Sequence, residues 1–219
     1  MLTIYGSDLS GPANKVRFTA NYLGLEYEYR RIDLRNGEQK QEWFLKVNPL
    51  GKVPAMDDNG FTLSESGAIC KYLCDKTTGT LYPKDLKARA LVDQWLDFVT
   101  LHIAANIMKV VYNRVFAPLR GVTVSEESIN DGIKFLDQYF PVLEAQLAKN
   151  KFIAGSALSL ADLTLLAAVD PCEIAEVDLN KYSKITAWRN ELKQQAFYTK
   201  CHAEYGAKLK EMLKAPAGK

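Results

Sequence analysis

Histidine is scarce in this chain: His102 and His202 are the only two among 219 residues. Cysteine occurs four times, as Cys70, Cys74, Cys172 and Cys201, never in a CxxC pair. A structural zinc site needs four nitrogen or sulfur ligands. Cys70 and Cys74 share a helix face, but only two histidines remain to complete a set, so no metal is expected. Scattered thiols of this kind point to small core residues in a reducing compartment. Long apolar runs are missing too. Nothing approaches the roughly 20 residues of a membrane span, and MLTIYGSDLSG lacks the basic region and apolar core of a secretory signal. A cytoplasmic protein with no membrane partner is expected. Nor is either charge in excess, since 28 Lys and Arg against 26 Asp and Glu leave a net +2. A nucleic-acid face needs a clustered basic surface, so nucleic acid is not expected as a partner. The basic stretch KLKEMLKAPAGK is interrupted by Glu211 and apolar residues and reads as a solvated helix end.

What is present is an ordinary globular balance, 47% hydrophobic and 25% charged. The length suits two cores, given domains of roughly 100 to 150 residues. Leu2 to Tyr5 reads as a short buried strand, followed by a loop and a helix from about Pro12 to Leu23, stopped by Gly24. YEYRRIDL is a second strand, and the helix between the two implies a parallel pair with a right-handed crossover. EWFLKVNP predicts a short helix ended by Asn48 and Pro49. VPAMDDNGFTL predicts a hairpin turning at Asn59-Gly60, and SESGAICKYLCDKT a helix with Ala68, Ile69, Tyr72 and Leu73 on one face. The first half is thus an α/β unit of order βαβαββα.

Gly79 and Pro83 punctuate an aperiodic stretch, which sets expected bounds of 1–78 for the first domain, 79–86 for a linker and 87–219 for the second domain. Residues 87 to about 117 carry a wide apolar helix face, and a second long helix runs from about Ser125 to Lys149. ALSLADLTLLAAV has the marks of a capping box, with Ser159 and Asp162 exchanging hydrogen bonds at a helix start. Helices near Lys184 to Gln194 and Tyr198 to Met212 complete an all-α second domain.

Three loops carry polar groups that their turns do not require. In YGSDLSGPANKV, Pro12 suits the first helical position, which makes Gly11 the N-cap and leaves the Ser10 hydroxyl uncommitted beside a helix N-terminus. Orphan amides and the helix dipole favour an anion there. Shaping the turn is the plain alternative for Ser10 and the one role left to Ser7. In NPLGKVP, Pro54 opens a strand, where proline's missing donor does no harm. A trans Val53-Pro54 bond is the default; a cis bond would turn the Val53 backbone outward to pair with an extended peptide. In SES, Ser64 or Ser66 can cap a helix with Glu65 as a first-turn acid. Two of these residues can also clasp an amino-acid headgroup, Ser66 on its carboxylate and Glu65 on its ammonium.

Along essentially its whole length, through NPLGKVPAMDDNGFTLSESGAI and GSALSLADLTLL, the chain resembles the cytosolic glutathione transferases, most closely the serine-dependent theta, delta and phi group. The resemblance implies a thioredoxin-like N-terminal domain followed by an all-helical one. It implies that Ser10 holds the glutathione sulfur, that Val53 beside a cis Pro54 pairs with the cysteine backbone, and that Glu65 and Ser66 bind the γ-glutamyl end. Gln39, Lys40 and Lys52 would face the glycine carboxylate. Gln39 and Gly67 depart from the histidine and arginine common in such proteins. A homodimer is implied, with no cofactor beyond glutathione as co-substrate.

A serine hydroxyl is too weakly acidic to act as a base at neutral pH, so Ser10 is expected to donate a hydrogen bond to a thiolate. The thiolate would attack a small hydrophobic electrophile, with Leu9, Ile107, Met108, Val111 and Tyr112 as candidates to line its pocket. Peroxidase or dehalogenase chemistry would use the same thiolate. A non-catalytic binding or assembly module is the alternative outside enzymes, against which Ser10, Glu65 and Ser66 stand together.

Overall fold

The computed structural model describes residues 1–202. The helix predicted to end at Met212 therefore lies partly outside the described residues, and the stretch KLKEMLKAPAGK wholly so.

Strand β1 (Leu2–Gly6) is central in a four-stranded sheet of order β2-β1-β3-β4. It pairs in parallel with β2 (Glu28–Arg31) and antiparallel with β3 (Ala55–Asp58), which turns through Asn59 and Gly60 into β4 (Phe61–Ser64). Both turn residues have positive φ, 55° and 92°, as a tight hairpin demands. Side chains alternate across the sheet. Leu2 and Ile4 enter the main core, while Tyr5 joins a smaller one with Ile32, Phe44 and Ala55. The main core is shared with helices α1 (Gly11–Tyr22) and α3 (Ser66–Lys76), the smaller with α2 (Glu42–Val47). A single 3-10 turn, Glu38–Lys40, precedes α2 and was not foreseen.

Among the described residues the second half holds helices joined by loops, with one isolated bridge, Phe152 to Gly155. One unbroken path runs through α4 (Leu86–Phe98), α5 (Ala105–Val111) and α6 (Ala117–Leu119). Two π-helical segments, Val99–Ala104 and Tyr112–Phe116, join these helices where the sequence predicts one regular helix. Helix α7 (Glu126–Lys149) is capped by the Ser125 hydroxyl, which accepts from the Ser128 amide at 3.2 Å. It is followed by α8 (Leu160–Val169), a short α9 (Cys172–Ala175), α10 (Ser183–Lys193) and α11 (Ala196–His202). At the start of α8 the fully buried Asp162 carboxylate accepts from the Ser159 amide at 2.9 Å and hydroxyl at 2.8 Å. It also accepts from the Ile153 amide at 2.9 Å and the Trp188 indole at 3.2 Å.

The main hydrophobic cluster is continuous through both halves. Phe18 of α1 meets Phe197 and Tyr198 of α11, with ring centroids 6.0 and 5.2 Å apart. Within residues 79–86, Leu81 and Tyr82 are buried, and the Leu160 amide donates to the Leu81 carbonyl at 2.8 Å. Ion pairs of α3 with α4, Lys71–Asp93 at 2.7 Å and Asp75–Arg89 at 2.9 Å, brace the same junction.

Candidate active site

The loop from β1 into α1 is built on two glycines set against fixed neighbours. A side chain at Gly6 would meet Ala13 Cβ at 2.9 Å and the Tyr29 ring at 3.0 Å; one at Gly11 would meet the Ala167 carbonyl oxygen at 2.9 Å. The start of α1 is therefore seated directly on the backbone of α8.

The expected capping is off by one residue. Ser10, not Gly11, is the N-cap, with Gly11 as the first helical residue, and the Ser10 hydroxyl oxygen accepts from the Ala13 amide at 3.3 Å. Serine caps better than glycine because it supplies that acceptor. Its hydroxyl proton has no acceptor among the described residues, so the group remains free to donate. Ser7 accepts from the Leu9 amide at 3.4 Å, which suits a turn-shaping role.

The Val53–Pro54 peptide bond is cis, unlike the default for the dipeptide alone. Val53 lies just beyond the β3–β4 ladder, whose last pair is Ala55 with Ser64. Glu65 occupies the N-cap position of α3 with φ 66° and makes no side-chain cap, so neither Ser64 nor Ser66 caps this helix as the residues suggested. Ser66 is its first residue, with the orphan amides of that turn around it. A non-glycine residue at such a φ costs on the order of 1–3 kcal/mol and persists where surrounding structure enforces it. The exposed Glu65 carboxylate is thereby thrust out beside the α3 N-terminus.

Gln39 lies in the 3-10 turn, its Oε1 buried without a partner. Lys40 and Lys52 are exposed; Lys40 reaches the Leu50 carbonyl at a long 3.4 Å, and the Lys52 carbonyl accepts from Asn48 at 2.7 Å. Both ammonium groups face solvent rather than an acidic partner. Of the apolar candidates, Ile107 and Val111 are sealed in the helical core, 2% and 1% exposed. Accessible surface remains on Met108, 45% exposed, and on the half-buried Leu9 and Tyr112.

Two charged residues of α1 are buried without any sign of it in the sequence. Lys15 and Arg17 are each only 7% exposed, because the sheet, α3, α8 and α11 surround this helix. Burial pushes the Lys15 ammonium down, opposed by the Cys70 thiol and the Glu65 carboxylate. Arg17 pairs with Asp8 at 2.8 Å and lies over the Tyr29 ring at 4.0 Å. The residues around the KVR triplet, GPAN before it and FTANYL after it, mix polar with apolar and carry no local mark of that burial.

The protein's own thiols are poor nucleophiles. Burial pushes Cys70 and Cys201 up, and pushes Cys74 and Cys172 up to about 12. Among the described residues no group of three or more His, Cys, Asp or Glu is placed to hold a metal, and no helix is long and apolar enough to cross a membrane. A cavity of about 510 Å³ opens beside α9 and α10, lined by residues including Glu173, Asp178, Thr186 and Arg189. None of the predicted site residues lines it.

Comparison with known proteins places these features in context. Residues 2–75 match the model of the glutathione S-transferase N-terminal domain, and residues 103–196 that of its C-terminal domain. Glutathione S-transferase F10 of Arabidopsis thaliana is 32% identical over 211 residues, covering 94% of this chain and 98% of that protein. The crystal structure of glutathione transferase F7 from Populus trichocarpa superposes with a TM-score of 0.86 at 30% identity, covering 94% of this chain and 99% of the other. A glutathione S-transferase I bound with lactoylglutathione superposes with a TM-score of 0.84 at 28% identity, covering 92% and 98%.

Proposed function

The chain belongs to the glutathione S-transferase family as an enzyme of its serine-dependent group, and we propose that Ser10 activates glutathione for conjugation to small hydrophobic electrophiles. The observation that carries this reading is the Ser10 hydroxyl, which caps α1 through its oxygen and keeps its proton to give. A thiolate seated there receives that hydrogen bond together with the positive end of α1. The thiol proton leaves to solvent; Ser10 keeps its own. The sulfur lone pair then forms a bond to the electrophilic carbon as the leaving group departs with its electron pair, or as an activated double bond or strained ring takes up the charge.

The placement of the other groups supports a seat for the rest of the tripeptide. The Val53 backbone pairs with the cysteine residue as an added strand segment. Glu65 takes the γ-glutamyl ammonium and the Ser66 amide and hydroxyl its carboxylate. Lys40 and Lys52, with Gln39, take the glycine carboxylate. Leu9, Met108 and Tyr112 offer apolar surface to the electrophile. The relative solved with lactoylglutathione supports a glutathione-derived ligand on this fold. The functional unit we propose is a cytoplasmic homodimer, the location supported by four unpaired cysteines.

Retention on immobilised glutathione, followed by turnover with halo-aromatics, isothiocyanates, epoxides and hydroperoxides, tests the reading. One charge-assisted hydrogen bond is worth about 1.5–3 kcal/mol, so Ser10→Ala is expected to lose about 10- to 150-fold in turnover with glutathione KM little changed. Retention with no turnover on any electrophile would mark a binding module. Turnover confined to hydroperoxides would mark a peroxidase.

A further inference from the structure

We propose that Asp8 is a positioning residue, whose ion pairs to Arg17 and Arg31 hold the Ser7–Ser10 loop so that the Ser10 hydroxyl meets the glutathione sulfur. The proposal rests on the role given to Ser10 above. Asp8 stands two residues before Ser10 and is tied in three directions. Its Oδ1 accepts from Arg17 Nη1 at 2.8 Å, its Oδ2 from Arg31 Nε at 3.0 Å, and its carbonyl from Asn14 Nδ2 at 3.0 Å. Arg17 and Asn14 belong to α1, while Arg31 ends β2, where it is paired with Gly6. The loop is thus fastened to α1, which follows it, and to β2, the parallel partner of β1.

Solvent screening makes most surface ion pairs weak. This one is different, because the Arg17 side chain is 8% exposed and Asp8 20%. The Arg17 guanidinium also lies over the Tyr29 ring, so its direction is fixed before Asp8 arrives. Within the loop the Ser10 amide donates to the Ser7 carbonyl at 2.9 Å and the Leu9 amide to the Ser7 hydroxyl at 3.4 Å; at its end the Ala13 and Asn14 amides donate to the Ser10 hydroxyl at 3.3 Å and carbonyl at 2.9 Å, so Asp8 supplies the ties that reach beyond α1.

Position and charge make opposite demands at this point, which exposes the role of Asp8 to test. As a charge, a carboxylate in this loop disfavours a neighbouring thiolate, and its removal would also leave two guanidinium groups unneutralised. On electrostatics alone Asp8→Asn should lower the apparent pKa of bound glutathione. As a fastening, its removal frees the loop, Ser10 drifts from the sulfur, and the apparent pKa should rise. A misplacement of about 1 Å can cost on the order of 100-fold in rate.

The test measures the bound thiol's apparent pKa by thiolate ultraviolet absorbance, with kcat and glutathione KM, for Asp8→Asn in wild-type and Ser10→Ala backgrounds. The expected result is a raised thiol pKa and kcat lowered about 10-fold, the lower end of the loss expected for Ser10→Ala itself, with KM within about twofold and no further loss in the Ser10→Ala background. A lowered or unchanged thiol pKa, or an equal loss of kcat in the Ser10→Ala background, overturns the proposal. Asn14→Ser, which removes the donor to the Asp8 carbonyl without changing charge, is expected to move pKa and kcat in the same directions. It serves alone if Asp8→Asn does not fold, and an unmoved pKa there overturns the proposal too. Wild-type turnover in Ser10→Ala itself would overturn the Ser10 reading, a result distinct from any failure of Asp8.

Discussion

Replacing Gly11 by alanine should destabilise the protein, although alanine is the better helix former. A glycine in a helix costs roughly 0.5–1 kcal/mol relative to alanine, so an unobstructed exchange would raise stability by up to that amount. At Gly11 the new methyl would sit 2.9 Å from the Ala167 carbonyl oxygen, closer than a methyl and an oxygen can settle. The obstacle is backbone within α8, which is buried at Ala167 and cannot swing away as a side-chain tip would. Overpacking of this kind costs typically about 1–3 kcal/mol, which outweighs the propensity gain. For a chain of this length each kcal/mol moves the melting temperature by about 2–4 °C. Thermal unfolding followed by circular dichroism should then show Gly11→Ala melting several degrees lower. Turnover should fall as well, since the displaced helix start carries Ser10 with it. Gly67, in the first turn of α3, is the internal control: nothing lies within 4 Å of a methyl there, so Gly67→Ala should hold or raise stability. A Gly11→Ala protein as stable as wild type would refute the claim that α1 is seated on the α8 backbone.

Asp162→Ala should be the most damaging change in the helical half, because four donors lose their acceptor in a buried site; at about 1–3 kcal/mol for each unsatisfied group, chemical denaturation should show a loss of at least about 3 kcal/mol or no folded protein. His202 should make stability fall in acid. Burial, aided by the nearby Arg17, pushes its imidazole from 6.5 down to about 4, so the unfolded chain binds the extra proton first. That contribution is complete above pH 6.5 and lost as pH falls through about 4, amounting to roughly 3 kcal/mol at 1.36 kcal/mol per unit. His202→Phe should flatten the denaturation midpoint over that window, and an unchanged slope would count against it. Glu65→Gln should weaken glutathione binding in calorimetry by about 10-fold or more, since an ion pair to the ligand ammonium becomes a neutral hydrogen bond. Its unfolding midpoint should stay put, because the carboxylate is exposed and caps nothing.

Features governed by neighbouring residues were legible in the sequence. The Asn59-Gly60 turn and the Ser159–Asp162 cap depend on residues a few positions apart, and the parallel β1–β2 pair on the one helix that separates the two strands; the sequence predicts all three. Features decided by distant contacts were not. Serine and glycine both make good N-caps, and what fixes Ser10 there, the Gly11 seat on Ala167, comes from the other half of the chain. The burial of Lys15 and Arg17 is not legible in the sequence, because nothing local shows that four elements surround α1. Ile107 and Val111 share their helix face with accessible neighbours, and only packing against the other helices separates core from pocket wall. The two π-helical segments lie within a regular apolar period, which marks the burial of a face and not the turn-by-turn hydrogen bonding beneath it.

The titration of bound glutathione asks the central question most directly. A thiol moved from about 8.5 to about 6.5 needs near 2.7 kcal/mol of thiolate stabilisation, which one charge-assisted hydrogen bond of about 1.5–3 kcal/mol and a helix end of about 0.3–1 kcal/mol can supply. With wild-type protein the thiolate absorbance should grow in near pH 6.5, and with Ser10→Ala at least one unit higher. Coincident curves for the two proteins, or a bound thiol that ionises as it does in buffer, would contradict the role of Ser10.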